Sequence, residues 1–441
     1  MENTDRRSFL KKSATAVAGA GLYVSLPLSY SSCAPSDRVN IAAIGLGFGA
    51  TNMRFALEAN PFVHCTALCD VDQLKLEERS KELKEKFPER TVDMKLHTDF
   101  RKLLEDKDID GVIVAPPDHW HTYIYAEAIK AGKAVYVEKP TGKTVAECNL
   151  MVDLQKKYKN VVITGLWQIS VDYFIDAFNI LKTGVLGDVY KAHAWITYGT
   201  DPVIYSTDPQ DVPETLDYTM WLGPAPSRAY AKERVGSWRH YWDYGGGRQT
   251  DWVHYLDSAL DGMAALGHGR TYPKSVYSVG YKHPETMTET PSVQTSVFQF
   301  DDYHIVWEHQ ASPMYNRGDG VAWIGSKGTL VCNRTGYELI PANGRDGKPL
   351  LEAKRKDGPY ANQYNHMVNW AECIRNNNSK TNSPIDKGCY ASLLANIANI
   401  SYRSGGISLE YLPGEQRFRN CPEADTYITP DYKNNWDYPN V

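Results

Sequence analysis

The apolar run Val39 to Ile44 passes without interruption into Gly45-Leu46-Gly47-Phe48-Gly49-Ala50, and no other stretch restricts the possible folds so tightly. Its length suits a parallel strand buried on both faces, and a glycine turn at the end of such a strand opens a helix whose first N–H groups are unpaired. That arrangement receives a phosphate. Gly45 permits the tight turn, Gly47 lets the backbone approach a pyrophosphate, and Ala50 keeps helix and strand close, so Gly45, Gly47, Phe48 and Ala50 are the expected dinucleotide-binding residues. The next apolar run, Val63–Cys69, ends on Asp70, twenty-five residues after Gly45. A carboxylate there can accept both hydroxyls of an adenosine ribose and repels a 2′-phosphate, which favours NAD over NADP. The bland alternative is a residue that merely ends the strand.

The alternation continues: a charged helix over 73–87, another from Phe100, strand Gly111–Ala115, helix 122–131, strand Ala134–Val137, helix 145–158 and strand Val161–Thr164. The fold class predicted is α/β, with an N-terminal Rossmann doubly wound parallel sheet over residues 38–165. After Gly165 the texture changes. Helix 172–183 is followed by alternating runs at 189–196, 275–281, 292–300, 304–309 and 328–332, which indicate an α+β domain with a large, mostly antiparallel open sheet over residues 166–413. Two helices, at 363–376 and 389–403, return toward the first domain. Residues 414–441 lack periodicity and are expected to form an irregular arm.

The first 37 residues read as an address. Arg6-Arg7 precedes a mild apolar stretch from Ser13 to Leu28, the pattern of a twin-arginine export signal, and this segment is excluded from the fold. A periplasmic protein is expected, with Cys33 open to two fates, lipid anchoring or cleavage nearby. The seven other cysteines lack Cys-x-x-Cys spacing and read as small core residues, with no zinc. A net charge of −5 without a basic stripe argues against a nucleic-acid partner.

Four landmarks in order are similar to the Gfo/Idh/MocA family, the group of glucose-fructose oxidoreductase and inositol dehydrogenase. They are the glycine turn, Pro117-Asp118-His119-Trp120-His121, Tyr136-Val137-Glu138-Lys139-Pro140, and Tyr244-Gly245-Gly246-Gly247 followed by Asp251 and His254. The resemblance covers about residues 38–410 and implies an active-site role for Lys139, with Glu138 on the cofactor side. It also implies that Pro116, Pro117, His121 and Gln168 line the cofactor neighbourhood. The chain departs from the family pattern in two places. Asp251 and His254 are three apart where four is usual, and Ser170 stands where an Arg often follows the Gln.

The residues themselves support such chemistry. A lysine at a strand end beside a nicotinamide can donate to a substrate hydroxyl and stabilise the developing alkoxide, whereas a solvated lysine would do nothing. Asp251 and His254, three apart on one helix, share a face, and an imidazole is a natural acid/base near neutral pH; a core histidine is the alternative. Trp167, Trp238 and Arg239 could offer stacking faces and a donor to a sugar. No metal site is expected, because His119 and His121 lack a third ligand.

The function expected is an exported oxidoreductase acting on a sugar, glycoside or polyol hydroxyl. Outside the inner membrane no NAD pool recycles, so the cofactor should stay bound. Two alternatives stand beside it: a redox-neutral NAD-dependent glycosidase that oxidises its sugar transiently, and a non-catalytic cofactor-bearing binding protein. A homo-oligomer is expected, with the open sheet as its face.

Overall fold

The computed structural model describes residues 38–197, 202–310 and 313–441. The expected export segment and Cys33 lie outside the described residues. The first sheet contains β1 (Val39–Ile44), β2 (Val63–Cys69), β3 (Lys95–His97), β4 (Gly111–Val114), β5 (Ala134–Val137) and β6 (Val162–Thr164). They pair in parallel in the order β3-β2-β1-β4-β5-β6. Every residue of β4 and β5 is buried, as a strand covered on both faces requires. The connecting helices are α1 (Phe48–Ala59), α2 (Gln73–Lys86), α3 (Phe100–Leu104), α4 (His121–Lys130) and α5 (Val145–Tyr158). Asp72, Asp99 and Thr144 cap α2, α3 and α5 by accepting from backbone N–H groups of the first turn. The strand order reverses between β1 and β4, so the crevice for a ligand opens at their C-terminal ends.

The second lobe begins with α6 (Asp172–Lys182) and β7 (Val189–Thr197). Four helices follow: α7 (Tyr218–Leu222), α8 (Lys232–Gly236), α9 (Gly247–Asp251) and α10 (Val253–Ala265). The remaining strands of its sheet are β8 (Ser275–Tyr281), β9 (Val293–Gln299), β10 (His304–Gln310), β11 (Asp319–Gly325), β12 (Gly328–Asn333), β13 (Gly336–Pro341) and β14 (Lys354–Asp357). Their order is β14-β13-β12-β11-β7-β10-β9-β8, antiparallel throughout except where β7 and β10 run together. One face packs on α6 and α10. There Gly262 admits the Trp323 indole: an added Cβ would lie 2.0 Å from its Nε1. The other face leaves Tyr190, Tyr277, Val279 and Tyr281 exposed.

Two helices tie the lobes together, α11 (Tyr364–Arg375) and α12 (Ile385–Arg403). On α11, His366 bridges Ser170 Oγ and the Thr164 carbonyl, each at 2.9 Å. On α12, Gly388 lies so close to β6 that a Cβ would sit 2.5 Å from the Thr164 methyl. Further along α12, Ser392 Oγ accepts from Thr141 N at 3.0 Å, Asn396 donates to the Gly142 carbonyl at 3.0 Å, and Asn399 donates to the Gly246 carbonyl at 2.8 Å. One rigid rod therefore holds the loop after β5 in fixed relation to the three glycines of the second lobe. The chain then forms a small hairpin, β15 (Tyr411–Leu412) with β16 (Arg417–Phe418), and an arm that carries Trp436 to within 4.8 Å of the Trp120 ring.

Candidate active site

At the crevice lies a cavity of about 350 Å³, walled on one side by the glycine turn and on the other by the second lobe. Gly45 has φ +83°, and a Cβ there would sit 2.3 Å from Pro116 N, so only glycine fits. A Cβ at Gly47 would meet nothing within 4 Å, which leaves open space over the unpaired N–H groups at the start of α1. Asp70 lines the same cavity. Its Oδ2 accepts from Leu46 N at 2.7 Å and its Oδ1 from Asp72 N at 3.0 Å, so the carboxylate also braces the glycine turn; Lys75 Nζ stands 4.0 Å away. Phe48, Pro116 and Pro117 line the cavity as well, Phe48 being half exposed at its mouth.

The loop after β5 is held from below. Glu138 Oε1 accepts from Asn52 Nδ2 at 2.6 Å and from the Tyr136 hydroxyl at 3.1 Å, while Oε2 accepts from Lys139 N at 3.1 Å. His121 lies between two carbonyls, Pro140 O at 2.7 Å from Nδ1 and Pro116 O at 2.9 Å from Nε2. Burial pushes its pKa down to about 4, against the pull of those carbonyls. The neutral ring carries a single N–H and donates it to one of these two carbonyls, while it packs between the loops that follow β4 and β5.

Lys139 Nζ donates to the Asp251 carbonyl and to Asp251 Oδ1, both at 2.7 Å, and Arg239 Nε donates to the same Oδ1 at 3.0 Å. Burial works to raise the Asp251 pKa, but the Lys139 and Arg239 cations overcome it and hold the carboxyl well below the usual range. The contribution of this cluster to stability is therefore complete above the ordinary carboxyl pKa of about 3.9 and is lost as pH falls below it. Asp251→Asn is expected to cost about 3 kcal/mol at neutral pH, since two cations lose their buried partner. In urea unfolding the difference from the parent should shrink as pH drops through the acid range; an equal difference at every pH would contradict it.

The shared helix face expected for Asp251 and His254 is not formed. Trp252, at φ −105° and ψ 25°, separates α9 from α10, so the two residues start from different helices. His254 is buried with Nδ1 lacking a partner among the described residues, and burial, then Arg334 and Lys139, keeps the ring neutral. His254, Trp167 and Gln168 are buried and are not among the residues that line the cavity, and Ala50 is buried in the core of the first lobe. Trp238 and Arg239 do line it, with the guanidinium 4.2 Å over the Trp238 ring. Asp118, Trp221 and Arg334 went unassigned from sequence. Asp118 and Trp221 line the cavity, and Arg334 is buried with its guanidinium 4.3 Å over Trp167. Nothing local in the sequence marks them, because what matters is which distant segment covers each one.

Residues 39–166 match the oxidoreductase family's NAD-binding Rossmann fold, and residues 190–307 match the same family's C-terminal alpha/beta domain, together more than half of the chain. The chain belongs to the Gfo/Idh/MocA family. Among curated relatives, Glycosyl hydrolase family 109 protein 1 of Shewanella sp. (strain ANA-3) is 29% identical over 215 residues, 44% of this chain and 46% of that protein. Inositol 2-dehydrogenase of Salmonella paratyphi B (strain ATCC BAA-1250 / SPB7) is 26% identical over 190 residues, 42% and 54% respectively. The chain spans about half the length of these two curated relatives. Among solved structures, aldose-aldose oxidoreductase from Caulobacter crescentus complexed with glycerol superposes with TM-score 0.60 at 20% identity, covering 85% of this chain and 99% of that one. Levoglucosan dehydrogenase, complexed with NADH and levoglucosan, superposes with TM-score 0.62 at 16% identity, covering 85% and 99%. These likenesses establish the shared two-lobed fold. The residues fit the family's dinucleotide: Gly47 leaves room for a phosphate, the α1 N-terminus is uncapped by any side chain, and Asp70, on the same cavity wall, would accept from a ribose.

Proposed function

We propose that this chain is an exported oxidoreductase that removes hydrogen from a hydroxyl-bearing carbon of a sugar, polyol or glycoside, with NAD kept bound between turnovers. The observation that carries this reading is Lys139: an ammonium only 12% exposed, fixed by Asp251, on the wall of the cavity that the glycine turn also lines. A bound nicotinamide supplies the hydride acceptor. Lys139 donates to the substrate oxygen and lowers the cost of negative charge there, while Asp251 and Arg239 fix its direction and Trp238 covers the sugar face. Asp70, a carboxylate on the cavity wall just after β2, supports NAD over NADP. In this reading residues 38–165 hold the dinucleotide, residues 166–413 supply the substrate wall and the oligomer face, and residues 414–441 form the arm. The Arg6-Arg7 segment directs export to the periplasm, with Cys33 as the point of lipid anchoring or of cleavage nearby.

A second reading is favoured by the curated relatives named Glycosyl hydrolase family 109 protein. Here the same residues oxidise a glycoside transiently and restore it after the aglycone has left. One experiment separates the readings: purified protein, without added cofactor, is incubated with free sugars, polyols and glycosides while nicotinamide absorbance is followed and products are identified. A keto-sugar with reduced nicotinamide is the expected result. A released aglycone without net oxidation selects the glycosidase, and a bound nicotinamide that responds to nothing in the panel leaves only a binding protein.

A further inference from the structure

Asp118 is the one carboxyl on the cavity wall that the preceding account leaves without a task. It follows β4 in the turn before α4 and is 4% exposed; its backbone carbonyl accepts from His121 N, but its carboxyl accepts no hydrogen bond among the described residues. Most buried carboxylates are held by several donors, as Glu138 is; a buried, unpartnered one that faces a cavity needs another explanation. The charged groups around it are Arg239 from the turn at 238–240, Asp251 from α9, and Lys139 and Lys143 from the loop after β5. None of the four bonds to it. Lys139 and Arg239 are turned to Asp251, and Lys143 Nζ donates to the Trp242 carbonyl at 3.1 Å. Gly245 is also involved, since a Cβ there would lie 3.2 Å from Asp118 Oδ2 and 3.0 Å from the Arg239 backbone, so this glycine leaves the space around the carboxyl clear.

We propose that the Asp118 carboxyl exchanges the proton with the substrate oxygen that Lys139 holds, accepting it on oxidation and returning it on reduction. The inference rests on the oxidoreductase reading above. The step balances: the substrate O–H bond breaks as an O–H bond to the Asp118 carboxylate forms, the C–H hydrogen leaves with its two electrons to the oxidised dinucleotide, and a carbonyl remains. Lys139, committed to Asp251 by two hydrogen bonds, stabilises the oxygen without having to take its proton. His254, expected from sequence as the acid/base, is not among the residues that line the cavity, whereas Asp118 is. Burial raises the Asp118 pKa, to about 8, with Arg239 and Lys139 pulling against it and Asp251 adding to it. The sign follows directly. Below that value the group is an acid suited to reduction, and above it a carboxylate suited to oxidation.

The test compares full-length protein with its Asp118→Asn variant, which keeps size and removes the titration. Both are assayed for oxidation of glucose, levoglucosan and myo-inositol across the pH range, and for NADH binding by fluorescence. Infrared difference spectra between the two report whether residue 118 carries a proton at neutral pH. The parent's kcat is expected to rise as pH passes about 8. Asp118→Asn should lose that limb and about 10²- to 10⁴-fold in kcat, with KM and NADH binding little changed and a protonated-carboxyl band missing. Unchanged turnover or an unchanged pH limb in the variant overturns the assignment, as does a carboxylate rather than a carboxylic acid in the parent at neutral pH. Should the parent oxidise none of the three probes, the oxidoreductase reading itself falls, and this inference with it.

Discussion

Lys139→Met is expected to reduce turnover by about 10³-fold or more, the scale set by removal of a preorganised donor from a developing oxyanion. NADH binding should survive, because the glycine turn, Asp70 and the start of α1 do not depend on the Lys139 side chain. The loss has a structural component too. Asp251 would keep only Arg239 as a direct partner, and breaking a buried pair costs about 3–5 kcal/mol, which a lowered urea midpoint reads directly. A variant that binds NADH, unfolds at lower urea and has lost turnover fits this account. One that still turns over within tenfold of the parent places the chemistry elsewhere.

The second large effect belongs to Gly45. Its φ of +83° is costly for any residue with a Cβ, and the added atom would meet Pro116 backbone at 2.3 Å, where no side chain can swing aside. Gly45→Ala should lower stability by several kcal/mol, about the scale of forced overpacking plus strain, and weaken NADH binding more than about 100-fold. Gly47→Ala is the informative partner. Its Cβ meets no protein atom within 4 Å, so thermal unfolding of the free protein should hardly change while NADH affinity falls. If Gly47→Ala binds NADH as well as the parent does, the open space is not where the phosphates lie.

The strand, the glycine turn and the carboxylate after β2 were legible in sequence because each is local: an apolar run, a spacing and a residue at a strand end. Lys139 was legible for the same reason. Other elements left no local trace. β14 is Lys-Arg-Lys-Asp, fully exposed, with no alternation to betray it, and β3 is a three-residue edge strand that hydrogen bonds alone define. The break at Trp252 could be suspected from the short Asp251–His254 spacing, yet its outcome depends on the packing of α9 and α10 against different neighbours. Asp118 appeared only as one letter of a motif. That it is buried, unpartnered and beside Asp251 follows from segments more than a hundred residues away. Likewise, the sequence shows that Asp70 can face a ribose, whereas its grip on Leu46 N is a matter of three-dimensional closure.

The helix at 385–403 has a practical consequence for redesign. It is wedged against Thr164 at one point and bonded to Gly142 and Gly246 farther along, so it belongs equally to both halves of the molecule. A chimera that grafted another relative's second lobe after residue 165 would import a foreign rod against the native first lobe. The small residues that let them nest, Gly388 above all, would then have to travel with the graft. Altering substrate preference is therefore better attempted by exchanging individual wall residues such as Trp238 than by transplanting modules.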